Sequence, residues 1–316
     1  EISLSQLVIE FDNVLVEDSY FRNSGLNQDQ SVTFRNDEIR RAPGAGQELS
    51  RILNSLPSVA SVGENRQDMM VRGGGPTENG FVIDNIPIPS ISHFAQEDGR
   101  SNGPIGLINT EMVETLEFYS NGFSAAYGNR LSSYGDITYR NGDKNEFKGN
   151  ASLGLGGAAA LMEGPLNSES SYIFSYRRSY LDVIAGALNA GGLPSYDDIQ
   201  GKITYQPNPY NALSFLVVSG SSLYERTKED AIKEEQVNYG RRQNNQSTIG
   251  MNYKKIWNES SFSNTSISFS DQRADASFLN YKTSSVTSMA NNTLQSYSVR
   301  QINQTQISNK LGTEYG

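Results

Sequence analysis

The sequence predicts an α+β domain followed by antiparallel transmembrane β-barrel strands. Up to about residue 145 one helical stripe is mixed with short apolar strands. Beyond Glu146 apolar and polar residues alternate with period two over long segments, which marks strands with one apolar and one polar face. The connections between those segments alternate between short and long, a property of outer-membrane barrels. Three regions are expected on this basis: 1–34 as an N-terminal segment and linker, 35–145 as the mixed domain, and 146–316 as barrel strands.

In chain order, Leu7–Asp18 holds one apolar patch among polar runs, and Asn23–Gln30 is linker-like. Leu49, Ile52, Leu53 and Leu56 share a helical face, which predicts a helix over 46–55 stopped by Pro57. Strands are expected near 68–72 and 81–86. Glu111 to Leu116 reads as a short helix or turn entering a strand near 115–119. Beyond Glu146 about eight strands are expected: 146–155, 158–165, 171–185, 198–206, 212–226, 243–257, 261–280 and 294–312. The alternation points Leu153, Ile203, Tyr205, Ile267 and Phe269 toward lipid and Lys202, Thr204, Ser266 and Ser268 toward the lumen. Trp257 and Tyr210 sit at short-turn ends, where an interfacial aromatic belt lies.

Composition narrows the function. The chain has 316 residues, 36% of them hydrophobic, and a mean hydropathy of −0.53, too polar for helical membrane spans. Barrel strands escape that test because they hide apolar residues at alternate positions. There is no Cys and one His, His93, so a thiolate metal site is excluded and a His-based zinc or haem site disfavoured. A net charge of −9 argues against nucleic-acid binding. No catalytic constellation or EF-hand pattern occurs, and neither an enzyme, a cofactor nor a resident metal is expected. No signal-peptide pattern is visible, and Glu1 is read as a mature or truncated start.

The motifs are more specific. Asp68–Gly75 ends a strand in Arg72-Gly73-Gly74-Gly75, followed by Pro76, Thr77, Glu78, Asn79 and the strand Phe81–Asp84. A phosphate cradle would need Gly-Lys-Ser/Thr before a helix, and Pro76 with a following strand denies that context. The glycines instead permit positive φ in a tight loop. With Glu48–Val59 upstream and Met112–Leu131 downstream, this order and spacing resembles the plug domain of TonB-dependent outer-membrane receptors. Departures are Asp84-Asn85 in place of Asp-Gly, and Ser132–Thr138 in place of a glycine-rich end.

The resemblance implies a receptor in the outer membrane of a Gram-negative bacterium. Its plug fills a barrel and gates import of a scarce ligand: a siderophore, glycan, peptide or cobalamin. The implied partners are a TonB-type energy-coupling protein, outer-membrane lipid and the ligand, with no nucleic acid. Candidate substrate contacts are Thr77, Glu78, Asn79, His93 and Phe94, with a plain solvated loop as the alternative for Thr77–Asn79. Arg72, Asp84, Glu117 and Arg130 are candidate plug–barrel contacts, with ordinary surface ion pairs as the alternative. Asp12, Asn13, Val14, Leu15 and Val16 resemble a TonB box, an extended run that adds to a partner's sheet edge. A plain strand, or the tail of a preceding domain, is the alternative there. Eight strands would close a barrel too narrow for a plug, whereas plugged transporters have about 22, so the chain is read as part of a larger receptor. The rival function is a gate or structural subunit of a secretion or surface complex that keeps the plug fold without transport.

Overall fold

The structure is a computed structural model and describes residues 31–42, 48–61, 63, 66–96, 100–101, 105–120, 122–154, 157–180, 194–308 and 311–316. The first part is built from β1 (Ser31–Arg35), α1 (Asn36–Arg41), α2 (Leu49–Leu53), β2 (Val59–Ser61), β3 (Met69–Val71), β4 (Asn79–Ile83), β5 (Ile86–Ile88), β6 (Val113–Tyr119) and β7 (Ser133–Tyr139). Five strands form a small sheet in the order β1-β6-β7-β4-β5, while β2 and β3 pair separately. β4 runs parallel to β7, and the other pairs in the small sheet are antiparallel.

Helix α2 buries Leu49, Ile52 and Leu53, the predicted stripe, and Leu56 packs behind them. It is shorter than the expected 46–55, because Asn54 already serves as its C-cap. Helix α1 carries Asp37 and Glu38 in its first turn and Arg40 and Arg41 in its last, matching the helix dipole, and buries Ile39. The shared core comprises the α2 stripe with Val71, Phe81, Ile83, Leu116, Phe118, Ile137 and Tyr139. A turn of two residues joins β4 to β5. Asp84 and Asn85 there have φ of 48° and 65°, as a type I′ turn requires, and short polar side chains tolerate that region best after glycine.

The second part is a nine-stranded antiparallel sheet in sequence order. Its strands are β8 (Lys148–Gly154), β9 (Gly157–Asn167), β10 (Ser170–Arg178), β11 (Ser195–Asn208), β12 (Asn211–Arg226), β13 (Asn238–Asn258), β14 (Ser261–Asn280), β15 (Val286–Ser308) and β16 (Leu311–Tyr315). Nine strands replace the expected eight, because the segment read as 294–312 comprises β15 and the start of β16. Residues 181–185 of the expected third strand lie outside the described residues. A one-turn-and-a-half helix, α3 (Lys228–Lys233), tops the β12–β13 connection and is capped by Thr227, whose side chain accepts from the Asp230 N–H.

The two faces of the large sheet differ as the alternation predicts. Lys202, Thr204, Ser266 and Ser268 are buried, whereas Leu153, Ile203, Tyr205 and Ile267 are exposed and Phe269 is half-exposed. The pairing register aligns Ile203, Phe215, Met251, Ile267 and Val299 across five strands. The next row aligns Gly201, Val217, Ile249, Phe269 and Tyr297. The result is a continuous apolar belt on the outer face. β13, β14 and β15 have 21, 20 and 23 residues, about twice the 9–11 that cross a bilayer.

Candidate functional site: the interface between the small unit and the sheet wall

Every strand of the large sheet places a side chain on the small unit. Asn150 of β8 donates to Glu111 at 3.2 Å, and Glu163 of β9 holds Arg140 at 2.7 and 2.8 Å. Further along come Ser175 and Arg177 (β10), Asp198, Gln200, Lys202 and Thr204 (β11), Ser222 (β12), Asn244 and Gln246 (β13), Ser266 (β14), Arg300 (β15) and Glu314 (β16). Nine strands span about 40 Å at their usual spacing. A unit of some 100 residues has a radius of gyration of only about 13 Å. The sheet therefore curves around the small unit, polar face inward.

The contacts fall into two levels. The described residues Ser90–Ala95 and Gly106–Asn109 meet the wall toward the long connections. His93 is buried and its Nε2 lies 2.9 Å from Asp198 Oδ2, while Arg177 pairs with the same carboxylate at 2.8 Å. Arg177 also donates to the carbonyls of Gly106 and Leu107, at 3.0 and 2.6 Å. With Arg177 beside it Asp198 is ionised, so His93 Nε2–H is the donor. Burial pushes His93 below its ordinary pKa, against the opposing pull of Asp198. Gln200 donates to Leu107 O and accepts from the Asn109 N–H and Tyr139 O–H. Ser222, Asn244 and Gln246 donate to the carbonyls of His93, Ala95 and Ser90. Glu48 Oε2 accepts from the Gly106 N–H at 2.7 Å, and burial raises its carboxyl to about 7 despite the nearby Arg177.

The second level lies toward the short turns. Asp84 forms an ion pair with Lys202 at 3.0 Å, and Lys202 also donates to Tyr139 O. Asn85 and Ser266 exchange two hydrogen bonds, at 2.7 and 3.3 Å. Arg300 donates to Ala126 O at 2.7 Å and lies 5.3 Å from the Tyr127 ring centroid. Tyr127 in turn donates to Asp136 at 2.6 Å, and burial raises that carboxyl.

These positions revise several sequence expectations. Of the four candidate contact charges, Asp84 pairs with the wall. Arg72 is exposed at φ 49°, Glu117 accepts from Tyr119 O–H, and Arg130 donates to the carbonyls of Asn79 and Asn129. Among the candidate substrate contacts, His93 and Phe94 are sealed beneath the surface against Tyr196, 4.6 Å from the His93 ring. Asn79 is buried too: its amide donates to Met69 O and its carbonyl accepts from Ser133, so it fixes the loop and presents no free group. Glu78 is half-buried and its side chain accepts from the Gly75 N–H, while Thr77 is exposed. Asp12, Asn13, Val14, Leu15 and Val16 lie outside the described residues. Arg177, Gln200, Asn109 and Arg300 were not singled out from sequence, and Asp198 was weighed only, with Asp197, as a possible metal ligand on what is more simply a solvated face. The signal for the wall residues was there: they fall on the inward, even-numbered or polar phase of their strands.

Residues 24–133 match the family model described as the TonB-dependent Receptor Plug Domain. No curated protein matches the chain. The solved structures settle the architecture. The siderophore receptor PirA from Acinetobacter baumannii is similar over 91% of this chain and 47% of its own, with 15% identity and a TM-score of 0.64.

The fold is that of a TonB-dependent receptor, plug and part of the barrel.

The ferric enterobactin receptor PfeA from Pseudomonas aeruginosa, as its G324V mutant, is similar over 88% of this chain and 46% of its own (18% identity, TM-score 0.59). The ferric citrate transporter FecA, unliganded, is similar over 87% and 44% (10% identity, TM-score 0.62). The chain thus spans under half the length of these receptors. The small unit has the fold of the plug, and the nine strands have the fold of part of the barrel wall.

Proposed function

We propose that this chain supplies the plug and nine wall strands of an outer-membrane receptor that imports a scarce ligand under TonB control, the plug acting as gate. One observation carries this reading: a compact unit bonded to every strand of a wall whose inner face is polar and whose outer face is an apolar belt. A water-filled pore would leave that inner face wet, and a soluble sheet would not expose the belt. The three similar structures carry names of ferric chelate or siderophore receptors, which makes iron chelates the first ligand class to assay. Thr77 and Glu78 are the surviving plug-loop candidates for ligand contact. Asp12–Val16 is the proposed coupling segment.

The coupling test uses backbone chemistry. Proline at Val14 removes an N–H and fixes φ, which blocks strand addition, whereas alanine keeps the donor. Val14→Pro is expected to abolish energised uptake while binding at the cell surface persists, and Val14→Ala to be mild. Normal uptake by the proline variant removes the coupling claim and favours a gate or structural subunit without transport.

A further inference from the structure

We propose that the ligand of this receptor is a flat anion, first met above the plug by Arg226 and Arg242 beside the rings of Tyr224 and Phe278. The inference deepens the proposed function and rests on it. Strand alternation, counted from the residues bonded to the plug, fixes which side chains of β10–β15 face inward. Arg177, Lys202, Arg226, Arg242, Lys254 and Arg300 do so, against one carboxylate, Asp198. The outward face of the same strands carries four cations and four carboxylates. The flanking strands add Lys148, Glu163 and Glu314 to the inner face, and Glu163 is already held by Arg140 of the plug. The whole chain has a net charge of −9, so the positive excess belongs to the inner wall and not to the composition.

Part of this charge is matched within the protein. Arg177 pairs with Asp198 at 2.8 Å, and Lys202 with Asp84 of the plug at 3.0 Å. Matching the plug does not account for the upper pair. Among the described residues Ser222 and Asn244, opposite each other in the register, form the highest rung bonded to the plug. Arg242 stands one rung above, opposite Tyr224, and Arg226 stands two rungs above, opposite Gly240. Phe278 flanks Gly240 from the other side. The Arg226 guanidinium lies 5.6 Å from the Tyr224 ring centroid, and the Tyr224 and Phe278 rings are 6.3 Å apart. Arg226 reaches Glu234, at the C-cap of α3, at 3.4 Å. Arg242 has no ion-pair partner among the described residues.

The chemistry of this patch selects the ligand. A cleft lined by one sign of charge concentrates the opposite sign from solution. A cation is repelled by both guanidiniums, and a neutral ligand gains nothing from them. An anion gains from both, since each guanidinium offers a planar fork of donors to a carboxylate-like group. The two rings present apolar faces to a flat body, and Gly240 has no side chain to block its approach. Below Asp198 the inner face of β11–β15 holds Lys202, Lys254 and Arg300 and no carboxylate, so the same sign continues behind the plug.

The test measures binding to the full-length receptor by titration calorimetry. The probes are benzene hexacarboxylate, a flat anion, and a flat cation of similar size, a benzene bearing three aminomethyl groups. The hexacarboxylate should bind at least about tenfold more tightly than the cation, and its affinity should fall with added salt. Arg226→Gln combined with Arg242→Gln should weaken it by about tenfold or more. Arg241→Gln combined with Arg273→Gln changes only the outward face and should leave it unchanged. Arg226→Lys combined with Arg242→Lys keeps the charge and should keep most of the affinity, which separates lost charge from a disturbed loop. Absence of hexacarboxylate binding, equal affinity for the two probes, or equal losses from the inward and outward pairs overturns the proposal. Uptake is not part of the readout. A receptor that binds the anion as expected yet transports nothing keeps this site and loses only the transport reading.

Discussion

Glu48 occupies a position where a carboxylate is costly. It lies beside Arg177, Asp198 and Arg51, takes one N–H from Gly106, and its ionisation is raised from 4.5 to about 7 chiefly by burial. The sign follows from linkage. Below about 4.5 the group is neutral in folded and unfolded chains alike, and its contribution is fully present. As pH rises through 7 the unfolded chain ionises freely while the folded one resists, so stability is lost across that window, by up to about 3 kcal/mol. Glu48→Gln keeps an acceptor for the Gly106 N–H and removes the titration. The plug unfolding midpoint of the parent should fall between pH 5 and pH 8, and that of the variant should stay level. A parent with a flat profile refutes the burial argument. Gly220 gives the steric counterpart at the same level: a Cβ there would lie 2.5 Å from Leu107 Cδ1 and 2.9 Å from His93 Cε1, so plug and wall approach as closely as only glycine allows.

At the scale of elements, the β4–β5 turn and the wall strands make separate predictions. Asn85 sits at φ 65° and spends its side chain on Ser266. Asn85→Gly relaxes the backbone and loses that bond, so the two effects offset to within about 1 kcal/mol. Asn85→Val forces a branched residue into positive φ and loses the bond as well, a loss of about 2 kcal/mol or more in chemical denaturation. Wall register is checked by cysteines at Ile267 and Ser268. On the proposed reading Ile267 faces lipid, so in the assembled receptor in liposomes a water-soluble reagent should spare it, and labelling of Ile267 but not Ser268 would reverse every face assignment.

The same elements show what could be read from sequence. The wall strands were legible wherever one face is apolar and exposed and the other meets the plug, because that contrast produces alternation. The ends of β13 and β15 at 238–242 and 286–293 were read as loop: beyond the belt both faces are polar or exposed, and the period disappears. Ser31–Arg35 was missed as a strand because its pairing with β6, Ser31 opposite Tyr119, is a contact across the sequence that no local pattern announces. Asn36–Arg41 was missed as a helix because it buries a single residue, Ile39. His93 and Phe94 were placed at the ligand face by family position. Their burial depends on Asp198 and Tyr196, about 100 residues away, which local sequence does not reveal.

For the whole molecule, the proposed function requires that the plug stand inside the wall and loosen from it for import. The most direct measurement ties the two together at the hairpin tip. Asn85 and Ser266 already lie side chain to side chain, and these 316 residues contain no other cysteine to compete. In the full-length receptor, Asn85→Cys with Ser266→Cys is oxidised to a disulfide, and ligand binding and energised uptake are followed in the same cells. Binding should persist, uptake should stop, and reduction of the disulfide should restore it, while each single variant transports normally. Uptake at the parent rate with the disulfide fully formed would contradict the account, because the tip would then have no need to leave the wall.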